Sequence, residues 1–317
     1  METKVIKLSF SSPVHFGDGR LSGGKPTCDA AALFSALFIE ALHMGRANSL
    51  LDAARSGELI LSDAFPYIGE ELFVPKPMTS FRMADEIDPA FVRRGDSRVK
   101  KAFKKLEYIR LNSLNAFLHG TMDPLEELGF YDIGAASLRT RVNLERFGAG
   151  KTPPYGVGLF SFRQNAGIYF VVRGSYDIVP FMDQLQYSGL GGKRTSGYGR
   201  FSFEVQSGDL FQRLQAVGDI NQVVDGPKLM LLSSAIPRED ELEDGLLACG
   251  RYRIIRKSGF VQSPSHAPTP QKKRDLFAFA PGSLFSRMFD GEVIDVNLIE
   301  GAHPVYRYAK AMWMKVG

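Results

Sequence analysis

Cysteine is nearly absent from this chain: 317 residues hold only Cys28 and Cys249. Two cysteines cannot form a disulfide framework, and these two lack the paired spacing of a zinc site. Histidine is almost as scarce, and His43, His119, His266 and His303 lie apart with no two at ligand spacing, so no metal is expected. Long apolar runs are missing as well. The longest, Ala30 to Met44, is interrupted by Ser35, Glu40 and His43 and is too short to cross a bilayer, so no membrane association is expected. Met1 to Phe10 lacks the apolar stretch of a secretory leader, which makes a reduced, cytoplasmic setting the expectation. No segment is of low complexity.

Acid is missing from one place where basic residues and glycine concentrate. Gly189 to Gly199 packs five glycines into eleven positions, and Lys193, Arg194 and the following Arg200 have no carboxylate among them. Glycine permits positive φ and close approach of a second chain, and successive amides in such a loop can cup an anion. Thr195 and Ser196 add hydroxyls, and Tyr198 and Phe201 add flat faces on which a base could stack. The composition suits a phosphodiester backbone. Two familiar nucleotide motifs are excluded. A Walker A loop needs a glycine and a hydroxyl where Tyr187 and Arg194 stand, and the dinucleotide fingerprint needs glycine at Arg194. No cofactor is therefore expected.

Net charge is only +4, but its distribution is uneven. Basic residues gather from Arg93 to Arg110, at Arg139/Arg141/Arg146/Lys151, at Arg251/Arg253/Arg256/Lys257 and at Lys272/Lys273/Arg274, while acid collects at Glu239 to Asp244. Such segregation suggests a polyanion on one face and a protein contact or solvent on another.

Periodicity supplies the organisation. Lys4 to Phe10 alternates like a strand, and Asp29 can cap a helix from Ala30 to about Met44, with Leu33, Phe34, Leu37, Phe38 and Ala41 on one face. A second helix fits Ser49 to Ser56. Ser62 to Lys76 reads as turn-rich, and Arg93 to Leu118 has helical spacing. Val157 to Arg173 reads as a hairpin, Asp177 to Leu185 as a helix and Arg200 to Val205 as a strand. This β-α-β-β-α-β order is the split βαβ, ferredoxin-like pattern, interrupted by an insertion from about 62 to 154. After a linker at 208–227, strands at Lys228 to Ile236, Tyr252 to Ile255, Val293 to Leu298 and Arg307 to Val316, with an acidic helix at Arg238 to Ala248, suggest a related second unit. Trp313 reads as core. The expected fold is α+β: a first domain at 1–207 and a second at 228–317.

Four segments carry a resemblance. Tyr187 to Phe201 looks like the glycine-rich loop of the RAMP proteins of CRISPR effector complexes. His15-Phe16-Gly17, then Ser62-Asp63-Ala64-Phe65-Pro66 with Val74-Pro75-Lys76-Pro77, and Phe279-Ala280-Pro281-Gly282-Ser283-Leu284-Phe285 are similar to blocks of one RAMP family, subunit four of the type III-A Csm complex. The blocks span nearly the whole chain. The resemblance implies tandem ferredoxin-like (RRM-like) domains and a non-catalytic subunit that holds the 5′ handle of the CRISPR RNA (crRNA). Its partners would be the Cas10-type large subunit and the backbone RAMP subunit. The implied RNA-binding set is His15, Phe16, Gly17, Gly189, Gly191, Gly192, Lys193, Arg194, Thr195, Ser196, Gly197, Tyr198, Gly199, Arg200, Gly282 and Ser283. The basic insertion could be the thumb that separates handle from guide.

The residues leave a second chemistry open. A metal-independent ribonuclease needs a general acid/base and a cation for the crowded phosphate. His15 with Lys193 or Arg194, assisted by Tyr198, could supply them; the other reading of His15 is a bond to backbone or RNA. Asp18 reads as a turn residue and Asp29 as a helix cap, so neither is assigned to metal-dependent cleavage.

Overall fold

The computed structural model describes residues 2–17, 19–79, 97–142, 153–207, 228–242, 245–248, 250–261, 266, 269, 271–298 and 303–316. Asp18, Arg93, Arg94, Arg146, Lys151, Cys249 and the linker at 208–227 lie outside them. In chain order the first part runs β1 (Thr3–Phe10), α1 (Ala30–His43), α2 (Ala47–Ser56), β2 (Ile60–Leu61), β3 (Phe65–Ile68), β4 (Glu71–Pro75), α3 (Ser97–Lys105) and β5 (Tyr108–Arg110). It continues with α4 (Leu114–Leu118), α5 (Pro124–Phe130), β6 (Gly134–Arg141), β7 (Tyr155–Phe162), β8 (Ala166–Arg173), α6 (Val179–Ser188) and β9 (Phe201–Ser207). The main sheet has the order β5-β4-β3-β8-β1-β9, with β2 also on β8, and its pairs are antiparallel.

The sheet is covered on both faces, which explains why β1 and β8 are buried along most of their length. Ile6 and Leu8 of β1 face α1, α2 and α6, where Leu33, Phe34, Leu37, Leu50 and Phe181 close the larger core. Val5 faces the other way, toward Leu106, Phe117, Met230 and Met314. Each fully buried leucine or phenylalanine contributes roughly 1.5–3 kcal/mol. Asp29 caps α1 as expected, accepting from the Ala32 amide at 2.8 Å, and Gly45, at φ +68°, follows its last turn.

Several expectations need correction. β7 and β8 do not pair with each other: β8, buried on both faces, takes β1 and β3 as neighbours, while β7 pairs with β6. Ser62 to Lys76 holds two strands. Pro66 removes one donor, but Phe65 and Tyr67 on either side still pair with Tyr169 and Gly167. The helical run at Arg93 to Leu118 is broken after Lys105, where Tyr108 to Arg110 leaves the helix to extend the sheet edge beside Val74. Pairing at a sheet edge overrides the 3.6-residue period there.

The second part has β10 (Leu229–Leu231), β11 (Ile254–Lys257), β12 (Leu276–Phe279), β13 (Leu284–Phe285), β14 (Gly291–Asp295), β15 (Tyr306–Lys310) and β16 (Trp313–Lys315). These form three small antiparallel sheets, β13-β10-β16, β11-β12 and β14-β15. The expected acidic helix is only a 3₁₀ turn at Glu239–Leu242, and no α-helix occurs here among the described residues. Glu241 accepts instead from the amides of Asp290 and Gly291 and pairs with Arg238. Trp313 packs on Phe285 and Phe289 and donates to the Phe289 carbonyl, a core position as expected.

A buried polar cluster fastens the two parts. Asp63 accepts from the Ala30 amide at 2.9 Å, the Ser234 amide at 2.8 Å and the Ser234 hydroxyl at 2.7 Å. Lys257 Nζ lies 2.7 Å from Asp29 and 3.0 Å from the Ser234 hydroxyl. The Tyr308 hydroxyl accepts from the Leu61 amide at 2.8 Å. Burial raises Asp63 to about 6 although Lys257 opposes it. In Asp29 burial is outweighed by Lys257 and the Ala32 amide, which hold it lowered to about 2.

Candidate nucleic-acid interface

The glycine-rich loop follows α6 and leads into β9, at the end of the sheet where β1 gives way to residues 11–17. Its glycines are a packing device. Gly189, Gly197 and Gly199 have φ of +85°, +82° and +77°, a region costly for other residues. A Cβ on Gly191 would lie 2.8 Å from the His15 carbonyl, and one on Gly192 would lie 2.7 Å from the His15 ring. The Gly192 amide donates to the His15 carbonyl at 2.9 Å and the Gly199 amide to Pro13 at 2.9 Å. His15 is itself buried and anchored, its Nδ1 2.6 Å from the Gly158 carbonyl of β7. A carbonyl can only accept, so Nδ1 carries the proton and Nε2 is the nitrogen left for another partner.

The loop is less open than its composition suggests. The amides of Gly189, Leu190, Gly192, Ser196, Gly197 and Gly199 all donate to backbone carbonyls, so the expected cup of unspent amides is largely closed. Tyr198 and Phe201 are not stacking platforms. Tyr198 is 6% exposed and packs with Val157 and Leu159, and Phe201 joins the main core. Phe16 is buried too, whereas Tyr187 at the end of α6 is 74% exposed.

What reaches solvent is a rim. Gly17, Thr195 and Arg200 are exposed, and Lys193, Arg194, Ser196 and Gly197 are half-buried. Lys193 holds a left-handed φ of +59° with its ammonium over the Tyr155 ring. Arg194 is not free of acid in space: Glu40 of α1 lies 4.0 Å away, its carboxylate also accepting from Ser188. Arg141 is a member the sequence did not single out. From the end of β6 it donates to Ser196 at 3.0 Å and to the Tyr198 hydroxyl at 2.9 Å, and its only sequence signal was a basic cluster.

Gly282 and Ser283 stand apart from this shell. Gly282, at φ +86°, lies against Lys76, whose carbonyl would be 2.6 Å from an added Cβ, and its own carbonyl accepts from Met78. Ser283 is fully buried and donates to the Ala280 carbonyl. The sequence blocks are thus packing partners: residues 15–17 with the glycine loop, 74–78 with the second glycine turn, and Asp63 with Ser234. Among the described residues no group of three or more His, Cys, Asp or Glu could hold a metal ion, and no helix is long and apolar enough to cross a membrane.

Fold and rim together define a class: mixed α/β proteins of antiparallel sheets in which a cationic glycine loop is packed against the end of the first strand. Residues 224–316 match the CRISPR Csm4 C-terminal domain. Over 318 aligned residues the chain is 36% identical to a Mycobacterium tuberculosis protein named CRISPR system Cms protein Csm4, covering 99% of this chain and 98% of that one. The chain belongs to the Csm4 family. Its fold is similar to the Csm3-Csm4 subcomplex of the type III-A CRISPR-Cas interference complex, with TM-score 0.63, 17% identity and 100% and 99% of the two chains covered. It is also similar to the Csm1-Csm4 cassette in complex with AMPPNP, with TM-score 0.59, 18% identity and coverage of 100% and 98%.

Proposed function

We propose that this protein is a non-catalytic RNA-holding subunit of a cytoplasmic type III-A CRISPR ribonucleoprotein. It grips the 5′ handle of crRNA and joins the Cas10-type large subunit to the backbone RAMP subunits in antiviral defence. The observation that carries the reading is the rim itself: Lys193, Arg194, Thr195, Ser196 and Arg200 presented on a loop locked to His15 and Pro13. Cations and hydroxyls held on a rigid base can follow a phosphate backbone without reading sequence. Relatives that crystallise with Csm3 and with Csm1 support the two protein partners. We read the first part as a ferredoxin-like domain whose second copy, at 228–317, is strand-rich and divergent. Strand β6, with exposed Arg139, is the portion of the insertion that we assign to parting handle from guide.

The test is to purify the tagged chain from its host, sequence the RNA that accompanies it and identify the associated proteins. Guide RNAs with one constant 5′ end, together with a Cas10-type subunit, are the expected result. A lone protein that cuts repeat RNA in chelator would replace this reading with the ribonuclease one. His15→Ala should then abolish cleavage and leave binding intact.

A further inference from the structure

The rim described above is not the only cationic surface. Helix α3 has no acidic residue, and Lys100, Lys101, Lys104 and Lys105 are all exposed, with no ion pair among the described residues. Its inner side is fixed by Ala102, and by Phe103 stacked on Phe117 at 5.9 Å, so the outward lysines stand on a rigid support. Lys76, at the end of β4, joins this helix to the second glycine turn. Its ammonium lies 4.3 Å from the centre of the Phe103 ring and its carbonyl lies against Gly282. Burial lowers Lys76 from the usual lysine range, and the neighbouring Arg253 lowers it further. Arg251 follows on, bonded to Thr79.

We propose that α3 and the cations around Lys76 form a second surface for an RNA backbone, separate from the rim at 193–200. The inference rests on the RNA-holding reading above and extends it to another stretch of strand. Lysine is depleted from protein–protein interfaces, whose buried centres are enriched in aromatic residues, methionine and arginine. The outward face of α3 offers lysine and no exposed apolar side chain. Flexible ammonium groups are suited to phosphates, which they neutralise as point charges without sequence preference.

The experiment measures affinity for an unstructured single-stranded RNA across a salt series, using the full chain in its purified assembly. Three proteins are compared: wild type, a variant with Lys100, Lys101, Lys104 and Lys105 each changed to Gln, and Lys193→Gln/Arg194→Gln. Each phosphate of a single strand that is no longer neutralised makes the log–log salt slope shallower by about 0.7, so the α3 variant should lose about 2–3 of slope. An α3 variant with the wild-type slope overturns the proposal. If the rim variant alone is then shallower, the RNA-holding reading survives. An α3 variant that sheds a protein partner but keeps its slope also overturns the proposal and makes the surface a protein-docking face. Wild-type binding that ignores salt overturns both readings. The pair Lys100→Gln/Lys104→Gln, expected to show about half the effect, guards against any loss of structure in the larger variant.

Discussion

At residues 189–199 glycines lie against His15 and Phe16 while the loop's own Lys193 and the adjoining Arg200 reach solvent. At residues 281–283 the packing is similar and the charge is not. Gly282 lies against the Lys76 carbonyl, Ser283 is buried, and the nearby cations come from Lys76, Arg251 and Arg253. In both turns glycine allows two backbones to close. In the first, one stretch of chain supplies packing and charge together. In the second, the charge is gathered from positions far apart in sequence.

The largest effect should come from adding a methyl group at each turn. Gly199→Ala would press on the Leu190 carbonyl at φ +77°, and Gly282→Ala on the Lys76 carbonyl at φ +86°. A left-handed residue costs roughly 1–2 kcal/mol and overpacking about 1–3 more, so each variant should lose about 2–5 kcal/mol in denaturant titration. Gly197→Ala, at φ +82° in open space, should lose only the backbone part, about 1–2 kcal/mol. If Gly282→Ala behaved like Gly197→Ala, the shared packing role would fail.

Charge separates the turns next. Lys193→Gln/Arg194→Gln should make the RNA salt slope shallower by about 1.4, against a starting slope near −4 if roughly six phosphates are neutralised. Equal weakening for every RNA sequence is expected, since backbone contacts carry no sequence information.

A smaller effect concerns the fastening between the two parts. Asp63 titrates at about 6 in the folded chain against 3.8 as the ordinary value, so the folded state binds the extra proton between these limits. Its contribution to stability therefore rises as pH falls from 7 toward 4 and is lost as pH climbs through 6. Melting curves should show wild type gaining on Asp63→Asn over that interval. A constant difference would mean that Asp63 does not titrate there. The smallest change is Tyr198→Phe, which removes the hydroxyl that accepts from Arg141 and should cost about 1 kcal/mol while leaving the salt slope unchanged.

Local patterns were legible where one segment decides its own structure. The Asp29 cap and the apolar face of α1 depend on neighbours a few residues away, and both could be read directly. Pairing choices could not. β7 and β8 each alternate well enough to suit several partners, and only the two-sided burial of β8 settles that it joins β1 and β3. The aromatic faces of Tyr198 and Phe201 looked available because the sequence does not reveal that Val157, Leu159 and Arg141 close over the first and the main core encloses the second. Glu40 beneath Arg194 was hidden for the same reason, being supplied by a helix far away in the chain.

The RNA-holding role requires that the rim of the glycine loop touch RNA. Ultraviolet cross-linking of the assembled ribonucleoprotein, followed by mass spectrometry of the RNA-bearing peptides, tests it most directly. Adducts are expected on the peptides that contain Gly17 and residues 193–200. An assembly that carries RNA yet cross-links only elsewhere on this chain, or not to it at all, would contradict it.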